Sequence, residues 1–276
     1  MNRRKVYMVI TYIAASLLAL IIMFPMLWMV LTSLKTTPEI YAFPVVYFPK
    51  HLTLEHYRSS LAEGNFVLYL KNSAVIAIIA VSLSLAISIL PAYALARFKF
   101  RGKFFIDVTV MLLVLLPQVS FVVPMFRFLR TIHLVNSFIG VAVSYLPFIT
   151  PIQIMLLKGF FLDIPESIEE AAAIDGSSYF TTLVRIVFPL SIPGILSIGI
   201  YSLFFSWNEL MFAMSFLTQQ DKQTIPVFLS FLIGEYGINW GQLFAAATLA
   251  TLPSIIIFIF LQRFFISGLV AGAIKE

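Results

Sequence analysis

The chain has 276 residues, 61% of them hydrophobic and 11% charged, with a formal net charge of +5 and a mean hydropathy of +0.99. An ordinary soluble domain carries about 25% charged residues, and a single globular core cannot hide so much apolar surface, so the medium around the protein must itself be apolar. The lack of cysteine excludes disulfides and thiolate metal sites, and the basic residues gather at the ends of apolar runs, which fits membrane orientation rather than nucleic-acid binding.

Six charge-free intervals succeed one another along the chain. They lie between Lys5 and Lys35, Lys71 and Arg97, Asp107 and Arg127, Arg130 and Lys158, Arg185 and Glu209, and Glu235 and Arg263. Each is close to the roughly 20 residues that a membrane helix requires, and none alternates like the roughly 10-residue strands of a barrel. The predicted fold class is therefore an all-α membrane protein with six transmembrane helices. The spans fall near 8–31, 70–96, 106–126, 137–158, 187–208 and 243–263, in one transmembrane domain over 1–276.

The first run comes after Arg3, Arg4 and Lys5, as a secretory leader would, but it exceeds the roughly 7–15 apolar residues of a leader core and reads as a retained span. The dense cluster Arg97, Lys99, Arg101 and Lys103 joins Arg3, Arg4 and Lys5 on one side. That side is the cytoplasm by the positive-inside rule, and six crossings return the C-terminus to it. The loop at 32–69 carries Pro38, Tyr41, Phe43, Pro44, Tyr47, Phe48 and Pro49, which predicts an ordered surface rather than a linker. Pro25, Pro91, Pro117, Pro147, Pro151 and Pro253 fall inside spans, where they predict kinks. A second long outer loop, 209–242, contains Gly234, Gly237 and Gly241.

The segment 163–186, between spans four and five, has a legible local structure. Asp163 and Glu166 form a capping pair with Pro165 in the first turn, and Glu166, Glu169 and Glu170 sit at the positive end of the helix dipole. Asp175-Gly176 stops that helix, and Ser177 or Ser178 caps a second short one on which Tyr179, Phe180, Leu183, Val184 and Val187 make an apolar stripe. Such a unit either docks onto a cytoplasmic partner or packs on the protein's own helix ends.

Glu170-Ala171-Ala172, three residues, Gly176, nine residues, Ile186, one residue, Phe188-Pro189 resembles the EAA loop of ABC importer permeases. Phe188 stands where that family usually has leucine. The C-terminal stretch from Leu261 through Ser267-Gly268-Leu269 to Lys275, and Phe205-Ser206-Trp207-Asn208-Glu209, resemble carbohydrate permeases of the binding-protein-dependent, maltose-transporter type.

The resemblance implies a translocation subunit of an ATP-driven importer for a mono- or oligosaccharide, in a prokaryotic cell membrane. Glu170, Ala171, Ala172, Asp175, Gly176, Ile186 and Pro189 would form the coupling helix that meets the ATPase. Its partners would be a second related permease, two ATP-binding subunits, an extracytoplasmic solute-binding protein, the sugar and membrane lipid, and no nucleic acid. The tail would reach between the ATPase subunits.

No phosphate-binding G-x-x-x-x-G-K-[ST] sequence occurs, and His51, His56 and His133 are scattered. The chain itself is then expected to be neither an enzyme nor a cofactor carrier, with ATP and Mg on the partner ATPase. Gln118, Tyr145, Gln153, Ser206 and Asn208 are the candidate pathway residues, since polar groups in spans face a cavity or another helix. Gly234, Tyr236, Gly237 and Asn239 are the candidate contacts with the binding protein. Two rival readings remain: an ABC permease for an amino acid, peptide or phosphate, and an ion-coupled secondary transporter, which would usually carry an ionisable group within a span.

Overall fold

The structure is a computed structural model. It describes residues 3–63, 65–234 and 237–273, with the side chains of 3–6, 9, 63 and 263–273 outside the description. Among the described residues the elements run α1 (Arg3–Ser33), α2 (Thr37–Ile40), α3 (Glu55–Glu63), α4 (Phe66–Arg97), α5 (Lys103–Val114), a 3-10 turn (Gln118–Phe121), α6 (Val122–Thr131), α7 (Phe138–Asp163), α8 (Glu166–Ile174), α9 (Tyr179–Thr182), a π turn (Leu183–Val187) and α10 (Phe188–Asn208). Then come α11 (Met211–Phe216), a 3-10 turn (Gln220–Lys222), α12 (Ile225–Phe231), the two-residue strands β1 (Ile233–Gly234) and β2 (Gly237–Ile238), and α13 (Trp240–Ala273).

Five stretches are each long and apolar enough to cross a membrane: Ile10–Ser33, Phe66–Arg97, Phe138–Asp163, Tyr179–Asn208 and Trp240–Gln262. The sixth expected crossing, 106–126, is not one straight helix. Lys103–Val114 and Gln118–Thr131 meet at a bend of 98°. The cause lies in the sequence: Pro117 has no N–H and forces Leu116 away from helical geometry, so the predicted kink becomes a break. Pro25, Pro91, Pro147, Pro151, Pro193 and Pro253 stay inside continuous helices.

The chain divides into two compact units. One comprises residues 1–66 and 229–252, the other 67–228 and 253–276. In the first unit the loop after α1 is ordered by short-range bonds. The Glu39 carboxylate accepts from the backbone N–H groups of Thr36, Lys50 and His51 at 3.1–3.2 Å. Lys35 lies buried with its Nζ 4.2 Å from the centre of the Trp28 ring. The His56 ring meets the Lys35 carbonyl at 3.0 Å, and Gly241 leaves the space that this ring fills.

The second unit holds two apolar clusters. Ile76, Leu129, Tyr145, Phe148, Phe212 and Phe216 belong to one, and Tyr93, Leu157, Phe161, Leu183, Val187 and Ile198 to the other. Most buried hydroxyls in its helices bond to their own helix. Ser88, Ser144, Ser191, Ser202 and Ser206 each donate to the carbonyl four residues earlier. The expected outer loop at 209–242 is largely helical. Glu209 caps α11 through the N–H groups of Phe212 and Ala213. Asn136 accepts from Thr218, Gln219 and Lys222, while Asn72 donates to the carbonyls of Asp221 and Gln223.

Gly194 faces the Phe160 ring of α7, and a Cβ there would stand 2.6 Å from the ring. Gly199, on the same helix, would place its Cβ 3.8 Å from Leu85, an ordinary contact. Gly194→Ala is therefore expected to lower stability by about 1–3 kcal/mol, whereas Gly199→Ala should be neutral or slightly stabilising. Thermal unfolding of the two variants in detergent distinguishes them, and equal midpoints would contradict the packing described.

Candidate functional site

The distinctive feature of the second unit is the helix–turn–helix at 163–189. α7 runs through Asp163, so Asp163 closes that helix and does not cap the next, as the sequence reading had it. Ile164 then turns extended (φ −80°, ψ 124°) ahead of Pro165, which occupies the N-cap of α8. The preference of pre-proline residues for extended backbone explains the shift. Glu166 and Glu169 occupy the first turn of α8, where the free N–H groups favour negative charge.

At its other end α8 closes in a Schellman turn. Ser177 N–H donates to the Ala172 carbonyl at 2.9 Å and Gly176 N–H to the Ala173 carbonyl at 3.0 Å. Gly176 sits at φ +81° with open space around its missing Cβ. Ser178 caps α9, its hydroxyl accepting from Thr181 N–H at 3.3 Å.

The second helix is not a separate short element. α9 passes through the π turn Leu183–Val187 into α10, so helix continues from Tyr179 to Asn208. Pro189 explains the wide turn: its ring would clash with the Arg185 carbonyl in regular α-helix and it offers no N–H to it. Ile186 lies in the π turn and Pro189 just beyond it. The predicted apolar stripe splits. Leu183 and Val187 are buried, while Tyr179, Phe180 and Val184 are exposed.

Helical phase sorts α8 in the same way. Glu169 and Ala172, three apart, turn toward the protein, whereas Glu170, Ala171 and Ile174 face outward, with Ile174 87% exposed. Ala172 is therefore buried in the protein's own body. Asp175 is the C-cap of α8 and is exposed.

Glu169 is the residue that sequence reasoning left without a partner. Its Oε1 meets Arg97 Nε at 2.5 Å and its Oε2 accepts from Tyr93 Oη at 2.6 Å. Arg97 Nη2 also donates to the Ile164 carbonyl at 2.8 Å. The partners stand more than seventy positions away in sequence, so no local pattern announces them. Beside them opens a hollow of about 390 Å³, lined by Arg97, Phe98, Glu166, Glu170 and Tyr179 among others.

The candidate pathway residues separate into two groups. Gln118 and Asn208 share an open hollow of about 660 Å³ with Phe205, Glu209, Met211 and Met214. Gln153 is instead fully buried, accepting from Ser88 at 2.9 Å and donating to Ser202 at 2.5 Å, which joins α4, α7 and α10. Ser206 bonds its own helix. Tyr145 is fully buried, and its hydroxyl has no hydrogen-bond partner among the described residues.

In the other unit, Gly234 and Gly237 pair across β1 and β2. Asn239 accepts from Gln242 N–H, and Tyr236 lies outside the described residues. From Arg263 onward the same holds for the side chains of the C-terminal stretch. Among the described residues no group of His, Cys, Asp and Glu could hold a metal ion.

The family model for binding-protein-dependent transport system inner membrane components matches residues 84–270, from within α4 to within α13. The chain belongs to that family. The trehalose/maltose transport system permease protein MalG of Thermococcus litoralis is 35% identical to this inner membrane component over 97% of the chain and 96% of its own length. The diacetylchitobiose uptake system permease protein DasC of Streptomyces coelicolor is 33% identical over 95% of each. A solved structure of a bacterial ABC transporter involved in import of the acidic polysaccharide alginate superposes with a TM-score of 0.79, at 20% identity, over 96% of this chain and 98% of that one. The last likeness speaks for the fold. As its family is named, the protein is a membrane-embedded component of a transport system that depends on a binding protein.

The φ of +81° at Gly176 suits glycine or asparagine and strains a β-branched residue. Gly176→Val is expected to destabilise the turn by about 1–2 kcal/mol and Gly176→Asn by less. Hydrogen exchange at the Gly176 and Ser177 amides reads this directly: protection falls for valine and stays near native for asparagine.

Proposed function

We propose that this protein is the translocation subunit of an ATP-driven importer for an oligosaccharide, and that α8, the Gly176 turn and α9 are its coupling element. The observation that carries the reading is the outward face of α8. Glu170, Ala171 and Ile174 present one acid, one methyl group and one bare isoleucine side chain on a turn pinned by a Schellman motif. A large exposed apolar side chain on a rigid helix end suits a cleft on another protein. ATP chemistry falls to that partner, which binds ATP and Mg, while this chain carries no cofactor.

In this assembly Glu170 makes the polar contact with the ATPase, Ala171 permits close approach, and Ala172 seats the helix on its own subunit. Asp175 and Gly176 form the turn, and Ile186 and Pro189 mark the junction with α10. Closure of two ATPase subunits pushes the coupling helices of this chain and a second, related permease together, which opens the path outward, and hydrolysis resets it. Both termini and 163–186 are then cytoplasmic. Gln118 and Asn208 border the path, and Gly234, Tyr236, Gly237 and Asn239 meet the binding protein. The sugar assignment draws on relatives named for trehalose, maltose and diacetylchitobiose, matched along nearly their whole length.

Gly176→Asp tests the reading, since the position is open enough to take the side chain without collision. The complex with its ATPase and binding protein is reconstituted in liposomes, and uptake of labelled trehalose, maltose and diacetylchitobiose is measured beside that of labelled amino acids and peptides. One of these sugars should accumulate in an ATP-dependent manner, and the variant should insert normally yet lose about tenfold or more of the uptake. Normal uptake by the variant, or accumulation only of amino acids or peptides, would contradict the proposal.

A further inference from the structure

The coupling element joins the rest of the subunit twice through the backbone, by Ile164-Pro165 into α7 and by the π turn into α10. The structure adds a third connection that passes through side chains alone. Glu169 projects from the inner face of α8 and is clamped by Arg97 and Tyr93 from the last turns of α4. The Arg97 and Glu169 side chains are 7% and 12% exposed. Arg97 completes the clamp by donating to the Ile164 carbonyl at the entrance to α8.

Rings brace it. Tyr93 stands edge-on to Phe98 and Phe161 with centroids 6.2 and 5.8 Å apart, and Phe98 stands edge-on to Tyr179, the first residue of α9, at 5.1 Å. One end of α4 thus grips both arms of the helix–turn–helix.

A charge-assisted pair with a fixed guanidinium fork holds orientation as well as distance. The side chains on either side of Glu169 point elsewhere: Ile168 and Glu170 are exposed. We infer that Arg97 and Tyr93 act on Glu169 as a strut that carries displacement of α8 into α4, making α4 a third mover alongside α7 and α10. They are positioning residues: Arg97, Tyr93 and Glu169 line no part of the hollow that holds Gln118 and Asn208, and Glu169 turns away from the face proposed to meet the ATPase. The inference rests on the coupling reading given above.

The test uses the assembled complex with its binding protein in liposomes. It compares Glu169→Gln, Arg97→Gln and Tyr93→Phe with the pair Arg97→Met/Glu169→Met. Three quantities are read: ATPase subunits retained on purification, ATP hydrolysed, and sugar accumulated. The strut requires that the ATPase stay bound and hydrolysis continue, while sugar moved per ATP falls by about fivefold or more in the two charge variants, with a smaller fall in Tyr93→Phe. The paired variant separates the strut from simple burial of an orphaned charge, because removing both partners leaves no uncompensated charge. Continued uncoupling in the pair supports the strut, and recovery of native transport in it overturns the inference.

Loss of the ATPase subunits from Glu169→Gln would also overturn it, by moving Glu169 into the docking contact itself. Gly176→Asp in the same preparations tells the two proposals apart. If Gly176→Asp uncouples and the Glu169 and Arg97 variants do not, only the strut fails. If Gly176→Asp also transports normally, the coupling reading fails with it.

Discussion

A backbone N–H or C=O in hydrocarbon has no water to turn to, and leaving it unpaired costs several kcal/mol. The architecture of this protein depends on that requirement. This chain meets it with helices across the apolar layer, and the same requirement decides how each proline is tolerated. Prolines inside α1, α4, α7, α10 and α13 leave those helices intact, whereas Pro117 ends one. The difference lies in how the backbone pairs around the ring. After Pro117 a 3-10 turn and α6 supply new pairing along a different axis. At Pro189 a π turn absorbs the lost bond without ending the helix.

Polar side chains obey the same rule. Ser144, Ser191 and Ser206 spend their hydroxyls on their own helix, four residues back, which makes them nearly neutral to their neighbours. Only a few groups reach between helices. Gln153 does so at the centre of α4, α7 and α10, and Lys158 does so toward Asp107 of α5 at 2.7 Å. Such bonds are each worth on the order of 1 kcal/mol in a membrane setting, so they fix orientation more than they hold the helices together. Close packing, as at Gly194 against Phe160, accounts for the rest.

The helix–turn–helix is built in the opposite way, from polar and local interactions. Its turn is specified within a few residues, by Gly176, Ser177 and Ser178. Its inward face is specified from far away, by Arg97 and Tyr93. The result is stiff locally and anchored remotely, and the two kinds of bond serve those two ends.

Much of this was legible in the sequence because it depends on composition and short spacing. The apolar runs give the helical membrane class, the left-handed turn needs only glycine in its place, and the spacing from Glu170 to Pro189 carries the family. Where the reading departed from the structure, a neighbouring residue decided. Pro165 held Asp163 in the preceding helix, Pro117 broke the third span, and Pro189 joined the second short helix to α10. The tertiary structure alone decided which polar residues meet. Gln118 and Asn208 come to one hollow while Gln153, Tyr145 and Ser206 turn into the packed interior, and Glu169 finds Arg97 across seventy-two positions. A spacing rule reaches only about one helical turn along the chain. Contacts between helices depend on how those helices rotate and cross, which is set by the packing of the whole unit.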